Sequence, residues 1–165
     1  MKQRILFICL GNICRSPAAE GIFQQLVDDR GLSDDFHIDS AAIGPWHIGD
    51  LPDKRMRECG RRHGYLFNSR ARQFSSDDFR HFDLIIGMDQ DNLRAIRSIA
   101  KSEEDGKKIH LMADFLRHHP HHATIPDPYY GVDKDFELVI ELLEDACMGL
   151  LDVLLHSHKS KPQGE

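Results

Sequence analysis

Residues 9–17 read CLGNICRSP, placing two thiols (Cys9 and Cys14), an amide (Asn12), a guanidinium (Arg15) and a hydroxyl (Ser16) in one short segment that Pro17 closes. Thiols so close together can hold a metal or each other. Alternatively, backbone N–H groups gathered beside a guanidinium can hold an anion above a nucleophile. The flanking sequence bears on that choice. Before the segment runs the apolar stretch ILFI, and after it Ala18, Ala19, Ile22, Phe23, Leu26 and Val27 recur on one helical face. A loop from a strand into a helix start turns its N–H groups and the positive end of the helix toward one point. The loop is expected to bend at Gly11 and to enter the helix with Ser16 as N-cap and Pro17 as first residue. Arg15 then supplies a planar fork that matches two phosphate oxygens, which a lysine cannot reproduce. Cys9, at the base, has its thiolate stabilised by the same field and stands in line for phosphoryl transfer. The G-x-x-x-x-G-K-[ST] loop and the dinucleotide fingerprint are both absent, so nucleotide chemistry has no support.

Four apolar runs are expected to be strands: 4–9 (RILFIC), 36–41 (FHIDSA), 83–88 (DLIIGM) and 108–112 (KIHLM). The first and third are nearly continuous in apolar residues, as in a parallel sheet covered on both faces. Helical patterns lie between them. One spans 51–63, and a second is capped by Asp89 with Leu93, Ile96 and Ile99 inward. A long one covers 133–156 with Phe136, Val139, Ile140, Leu143, Ala146, Leu150 and Leu154 inward. This alternation implies right-handed βαβ units, a parallel sheet of about four strands and helices on both sides. Ligands of such sheets sit beyond the carboxyl ends of the strands, where residues 9–16 fall.

At 165 residues, the chain is expected to be one domain over 1–157, with a disordered tail at 158–165. A formal charge of -6 gives no electrostatic footprint for nucleic acid and argues equally against acidic membranes. The four cysteines form no C-x2-C pair, which suits a reducing compartment, and a cytoplasmic protein is expected. The opening MKQRILFICL imitates a secretory leader, but Gly11, Asn12 and Arg15 interrupt it short of the usual ~7 to 15 apolar residues. No later stretch approaches the ~20 apolar residues of a membrane span. The run RHHPHH, with its His118–His122 cluster, is expected to be exposed loop, and neither a metal nor a cofactor is expected.

The stretch CLGNICRSP together with IPDPYYG at 125–131 resembles the low-molecular-weight protein tyrosine phosphatase family. WHIG (46–49), RARQF (70–74), FDLIIGMDQDNL (82–93) and the final helix extend the likeness over nearly the whole chain. The resemblance implies a single α/β domain with a four-stranded parallel sheet in the order 2-1-3-4. A phosphate-binding loop of Leu10, Gly11, Asn12, Ile13, Cys14 and Ser16 joins its first strand to its first helix. It implies hydrolysis of phosphotyrosine in proteins and peptides through a phosphocysteine, with Cys9 as nucleophile, Arg15 as clamp and Asp127 as general acid and base. Pro128 restricts Asp127 to extended conformations, which helps to aim it.

Under the same resemblance, Asn12 holds the loop in shape and Ser16 bonds the thiolate. Trp46, Tyr129, Tyr130 and Leu10 line the substrate cleft, and Cys14 traps an oxidised Cys9 as a disulfide. Cys59 and Cys147 are expected to be buried packing residues and Asp89 a helix cap. Ala42 and Ile43 depart from the glycine and threonine common in the family, and Ser69 from a histidine carried by several members. These departures bear on the stiffness of the loop and the rate. Three rival readings exist: an arsenate reductase, a phosphoarginine phosphatase, or a phosphotyrosine-binding module without turnover. The first needs further paired cysteines, the second a small polar residue at Ile13, and the third neither Cys9 nor Asp127.

Overall fold

The apolar run before Cys9 forms the central strand of the molecule, covered on both sides. The computed structural model describes residues 2–159. In chain order its elements are β1 (Gln3–Cys9), α1 (Arg15–Asp29), β2 (Phe36–Ala42), α2 (Lys54–Arg62), α3 (Asp78–His81), β3 (Leu84–Gly87), α4 (Gln90–Ile99), α5 (Glu103–Lys107), β4 (Ile109–Leu111) and α6 (Asp133–Lys159). The four strands make one parallel sheet in the order β2-β1-β3-β4, as expected.

Alternation along β1 sends Ile5, Phe7 and Cys9 into one core with Phe23 and Val27 of α1 and Val139 and Leu143 of α6. Leu6 and Ile8 enter the other with Phe79 of α3 and Leu93 and Ile96 of α4. Each such side chain contributes about 1.5–3 kcal/mol on burial, which is why a strand with two covered faces is apolar at nearly every position. Phe7, Phe23 and Phe36 meet edge to face, with centroids 6.0 and 5.6 Å apart, and lock α1 onto the sheet.

Two local expectations are corrected. Helix α1 begins at Arg15 with Cys14 in the N-cap position. Ser16 does not cap it, because its hydroxyl is engaged by Cys9 and Asn12. The final helix continues to Lys159, beyond both 156 and the domain limit of 157, and residues 160–165 of the expected tail lie outside the described residues. The RHHPHH run is loop and mostly exposed, as expected, and it is anchored at one point: Asp145 of α6 accepts from the Arg117 and His118 N–H groups and from His119 Nδ1 at 2.8 Å, while His119 Nε2 meets Glu141 at 3.1 Å. Those two carboxylates, Asp145 above all, raise the pKa of His119. Among the described residues, no helix is long and apolar enough to cross a membrane.

Candidate active site

β1 ends at Cys9, whose sulfur lies 3.4 Å from the Ser16 N–H nitrogen and 3.0 Å from Ser16 Oγ. The turn that brings Ser16 back over Cys9 occurs at Asn12, with φ 56°, the only non-glycine residue at positive φ among the described residues. The bend expected at Gly11 is therefore one residue later, at a type that tolerates the left-handed region. Gly11 answers instead to crowding, since a Cβ there would lie 3.2 Å from the His47 ring.

Buried Asn12 wires the loop. Its Nδ2 donates to Ser16 Oγ at 2.7 Å and to Ser40 Oγ at 2.9 Å, and its Oδ1 accepts from the Arg72 N–H at 3.2 Å. With both amide protons so used, the Ser16 hydroxyl proton is left for the Cys9 sulfur and the Ser40 proton for Glu20 Oε1, 2.5 Å away. Burial pushes the Glu20 pKa up to about 7, against the opposing hydrogen bond from Ser40. Ala42 and Ile43 carry the β2 pairing onward: Ile43 N–H donates to Cys9 O and Gly44 N–H to Leu10 O, both at 3.0 Å. Among the described residues, no buried side-chain nitrogen or oxygen lacks a partner.

Arg15, 2% exposed, is held from the far side of the sheet edge. Its Nη1 donates to Asp89 Oδ2 at 2.7 Å and to the Ile125 carbonyl at 3.0 Å, and its Nη2 lies 3.5 Å from Asp127 Oδ2. Burial opposes its charge, but the Cys9 sulfur, Asp89 and Asp127 outweigh burial and raise its pKa. Asp89 does cap α4 through Oδ1, at 2.8 Å from the Asn92 N–H nitrogen, and its other oxygen braces Arg15.

Asp127 sits on the loop after β4 with its side chain 41% exposed, and its Oδ1 accepts from the Tyr129 N–H at 3.1 Å. Arg55 of α2 fastens that loop by donating to the Tyr129 carbonyl at 2.9 Å and to Asp53, whose own N–H donates to Ile13 O at 2.8 Å. One residue pair thus ties the loop at 9–16 to the loop of Asp127.

A cleft of about 300 Å³ opens over this floor. Cys9, Gly11, Ile13, Cys14 and Arg15 form its base, and Leu10, Trp46, Asp127, Tyr129 and Tyr130 its sides. Trp46 stands out from Gly44, where any Cβ would collide with the indole. Tyr130 packs its edge on Tyr129, with centroids 4.9 Å apart. Asn12 and Ser16 lie behind the base and line no part of the cleft. Cys14 is buried, and burial, Asp53 and Cys9 push its thiol pKa up. Cys147 is also buried, with its thiol near the Ala19 carbonyl, which provides no paired thiols in the C-terminal half.

Sequence reasoning overlooked four contributors: His47 in the cleft wall, Asp89 as brace, Arg55 as fastener, and the Ser40–Glu20 extension of the hydrogen-bond chain. His47 lies inside the quoted WHIG, but the other contacts have no local signature. Chemically, the floor offers a thiol under donors aimed at one point, and the rim offers a carboxyl group above it.

A family model described as low molecular weight phosphotyrosine protein phosphatase matches residues 4–161. The low molecular weight phosphotyrosine protein phosphatase of Gallus gallus is 43% identical over 151 residues, covering 91% of this chain and 94% of its own. The low molecular weight protein-tyrosine-phosphatase of Streptomyces coelicolor is 41% identical over 155 residues, covering 92% and 93%. A crystal structure of a protein tyrosine phosphatase from Entamoeba histolytica with Hepes in the active site superposes with a TM-score of 0.91 at 39% identity, covering 95% of this chain and 99% of that one.

Proposed function

The chain belongs to the low molecular weight phosphotyrosine protein phosphatase family, cysteine-dependent hydrolases of phosphotyrosine, and from that premise we propose how its own residues divide the reaction. Cys9 attacks phosphorus and displaces the tyrosyl oxygen, forming a phosphocysteine. Asp127 protonates the departing phenolate, then as carboxylate takes a proton from the water that splits the S–P bond and releases inorganic phosphate. Arg15 and the loop N–H groups hold the phosphoryl oxygens throughout, and the charge that develops on them is met by donors already in place. The Ser16 hydroxyl, 3.0 Å from the Cys9 sulfur, holds that sulfur in line beneath the phosphoryl group.

The observation that carries this reading is the joining of Arg15 to Asp127 across 112 positions of sequence, at 3.5 Å, beside a thiol only 3% exposed. A phosphate on Arg15 brings the carboxyl group next to the leaving oxygen. Leu10, Trp46, Tyr129 and Tyr130 make the cleft wide enough for an aryl group, so that flat phenyl phosphates reach the base while shorter alkyl phosphates do not. In the Entamoeba relative the Hepes in the active site brings a sulfonate, an anion of similar shape.

p-Nitrophenyl phosphate hydrolysis tests the division of labour. Cys9→Ser is expected to abolish turnover, and Asp127→Ala to lower it by about 10²- to 10⁴-fold with phosphate still bound. Full activity in either variant overturns its role. Peroxide converts the Cys9 thiolate to a sulfenic acid, and attack by Cys14 then expels water and forms a disulfide that external thiol reduces. The raised pKa of Cys14 makes it a slow resolving thiol, since attack needs the thiolate. Recovery of Cys14→Ser from peroxide as complete as that of the native protein would dismiss the guard. Four unpaired cysteines suit a reducing compartment such as the cytoplasm, which cell fractionation checks.

A further inference from the structure

Away from the cleft, α2 and α6 bring together a sulfur, an imidazole and a carboxylate. Cys59 and His63 are four residues apart, the spacing that stacks two side chains on one helix face. Glu137 comes from the first turns of α6, and one ligating atom of each lies within 4.8 Å of the others. His63 Nε2 already contacts Glu137 Oε2, while Arg62 occupies the other carboxylate oxygen, Oε1, at 3.1 and 3.3 Å. The Cys59 thiol is wholly buried against this pair.

We propose that Cys59, His63 and Glu137 form a zinc-binding site that clips α2 to α6. This departs from the sequence expectation that Cys59 only packs and that no metal is bound. Mixed S, N and O donors suit zinc, which has no ligand-field preference, and exclude magnesium and calcium, which take oxygen. One thiolate and one carboxylate balance the two charges of the ion. Tetrahedral bonds of ~2.0–2.3 Å place ligand atoms ~3.3–3.8 Å apart, so closure needs side-chain rotations of about an ångström, and exposed His63 has room to supply them. Glu137 binds through Oε2 and keeps Oε1 on Arg62, with water as fourth ligand. On binding, the Cys59 proton, and that of any His63 present as imidazolium, passes to solvent, and no electron is transferred.

An ordinary structural ion pair accounts for His63, Arg62 and Glu137. It does not account for a thiol aimed at their carboxylate. A zinc ion accounts for that placement, because it pairs with the thiolate directly. The clip lies on the same helix that carries Arg55 and is separate from the catalytic cleft.

The full chain with Cys9→Ser, which removes the catalytic thiol as a rival ligand, is titrated with zinc against a chromophoric chelator, and with cobalt(II) for its absorption spectrum. One ion per chain is expected, with a thiolate-to-cobalt charge-transfer band and a higher thermal midpoint on adding zinc. In that background Cys59→Ala, His63→Ala and Glu137→Gln each weaken zinc binding by about 100-fold. Arg62→Ala tightens it, because a competing cation is gone. His63→Ala and Glu137→Gln change exposed or half-exposed groups, so the test stands even where Cys59→Ala fails to fold. Absence of zinc binding overturns the site. So does binding that survives both of those substitutions, which marks an adventitious ion only.

Discussion

The floor and the rim of the cleft are built on different terms. On the floor, Cys9, Asn12, Arg15 and Ser16 are each at most 3% exposed; Cys9, Ser16 and Asn12 are joined in a run of hydrogen bonds that ends at Glu20, and Arg15 is held separately by Asp89 and Ile125 O. At the rim, Trp46 is 64% exposed and Tyr130 97%, and the loop of Asp127 is held by an Asx-type turn, the reach of Arg55 and the contacts of Arg15 with Ile125 O and Asp127. Groups that must meet developing charge without rearranging are the buried and wired ones. Those that must admit a bulky protein substrate and then release it stand in solvent, where opening costs little. The difference matches the proposed division of the reaction: anion binding and attack below, proton delivery and access above.

Asn12→Ala should expose the contrast most sharply. Alanine leaves the Ser16 and Ser40 hydroxyls without their shared donor and must itself adopt φ near 56°. A fall in kcat/KM of about 100-fold and a loss of about 2–3 kcal/mol in denaturant unfolding are expected. A variant as active as the native protein would mean that the wired floor is not what sustains turnover.

Arg55→Ala tests the rim and should do less. Its guanidinium lies 4.7 Å above the Phe136 ring as well as on Tyr129 O, and its removal loosens the loop of Asp127 while leaving Cys9 and the bond from Arg15 to Asp89 in place. A drop in kcat of about 10-fold is expected with phosphate affinity unchanged, because only proton delivery loses its alignment. Should phosphate binding weaken by the same factor, floor and rim would be one unit rather than two.

Glu20→Gln is expected to have the smallest effect on rate and a visible one on stability. The folded pKa of Glu20 lies above its ordinary value of 4.5, at about 7, because burial favours the neutral acid. Its contribution is therefore fully present below about pH 4.5 and is lost as pH rises to about 7. Substitution should flatten unfolding stability across that window by about 1–3 kcal/mol. An unchanged slope in urea titrations would show that Glu20 is already ionised in the folded protein.

The α/β alternation, the strand at 4–9 and the inward residues of the last helix were all legible, because periodicity of 2 or 3.6 is a local property of the chain. Capping by Asp89 was legible for the same reason. Its bond to Arg15 was not, since that bond spans 74 positions and exists only because β3 lies beside β1. Reading Ser16 as an N-cap erred because a residue type fits two local roles and the fold selected the other. The expected bend at Gly11 failed similarly: glycine permits positive φ, but crowding by His47, invisible in sequence, explains the residue better.

By itself, then, the sequence determined the loop proposed to hold the anion. Cys9, Asn12, Arg15 and Ser16 lie within eight positions, so a single strand-to-helix turn suffices to converge them. Tertiary structure decided what surrounds that loop: Asp127 at its mouth, Asp89 behind its arginine, Arg55 across its rim, and Cys59 beside His63 and Glu137. These contacts are set by sheet order and helix packing, in which burial of apolar faces dictates which distant residues meet.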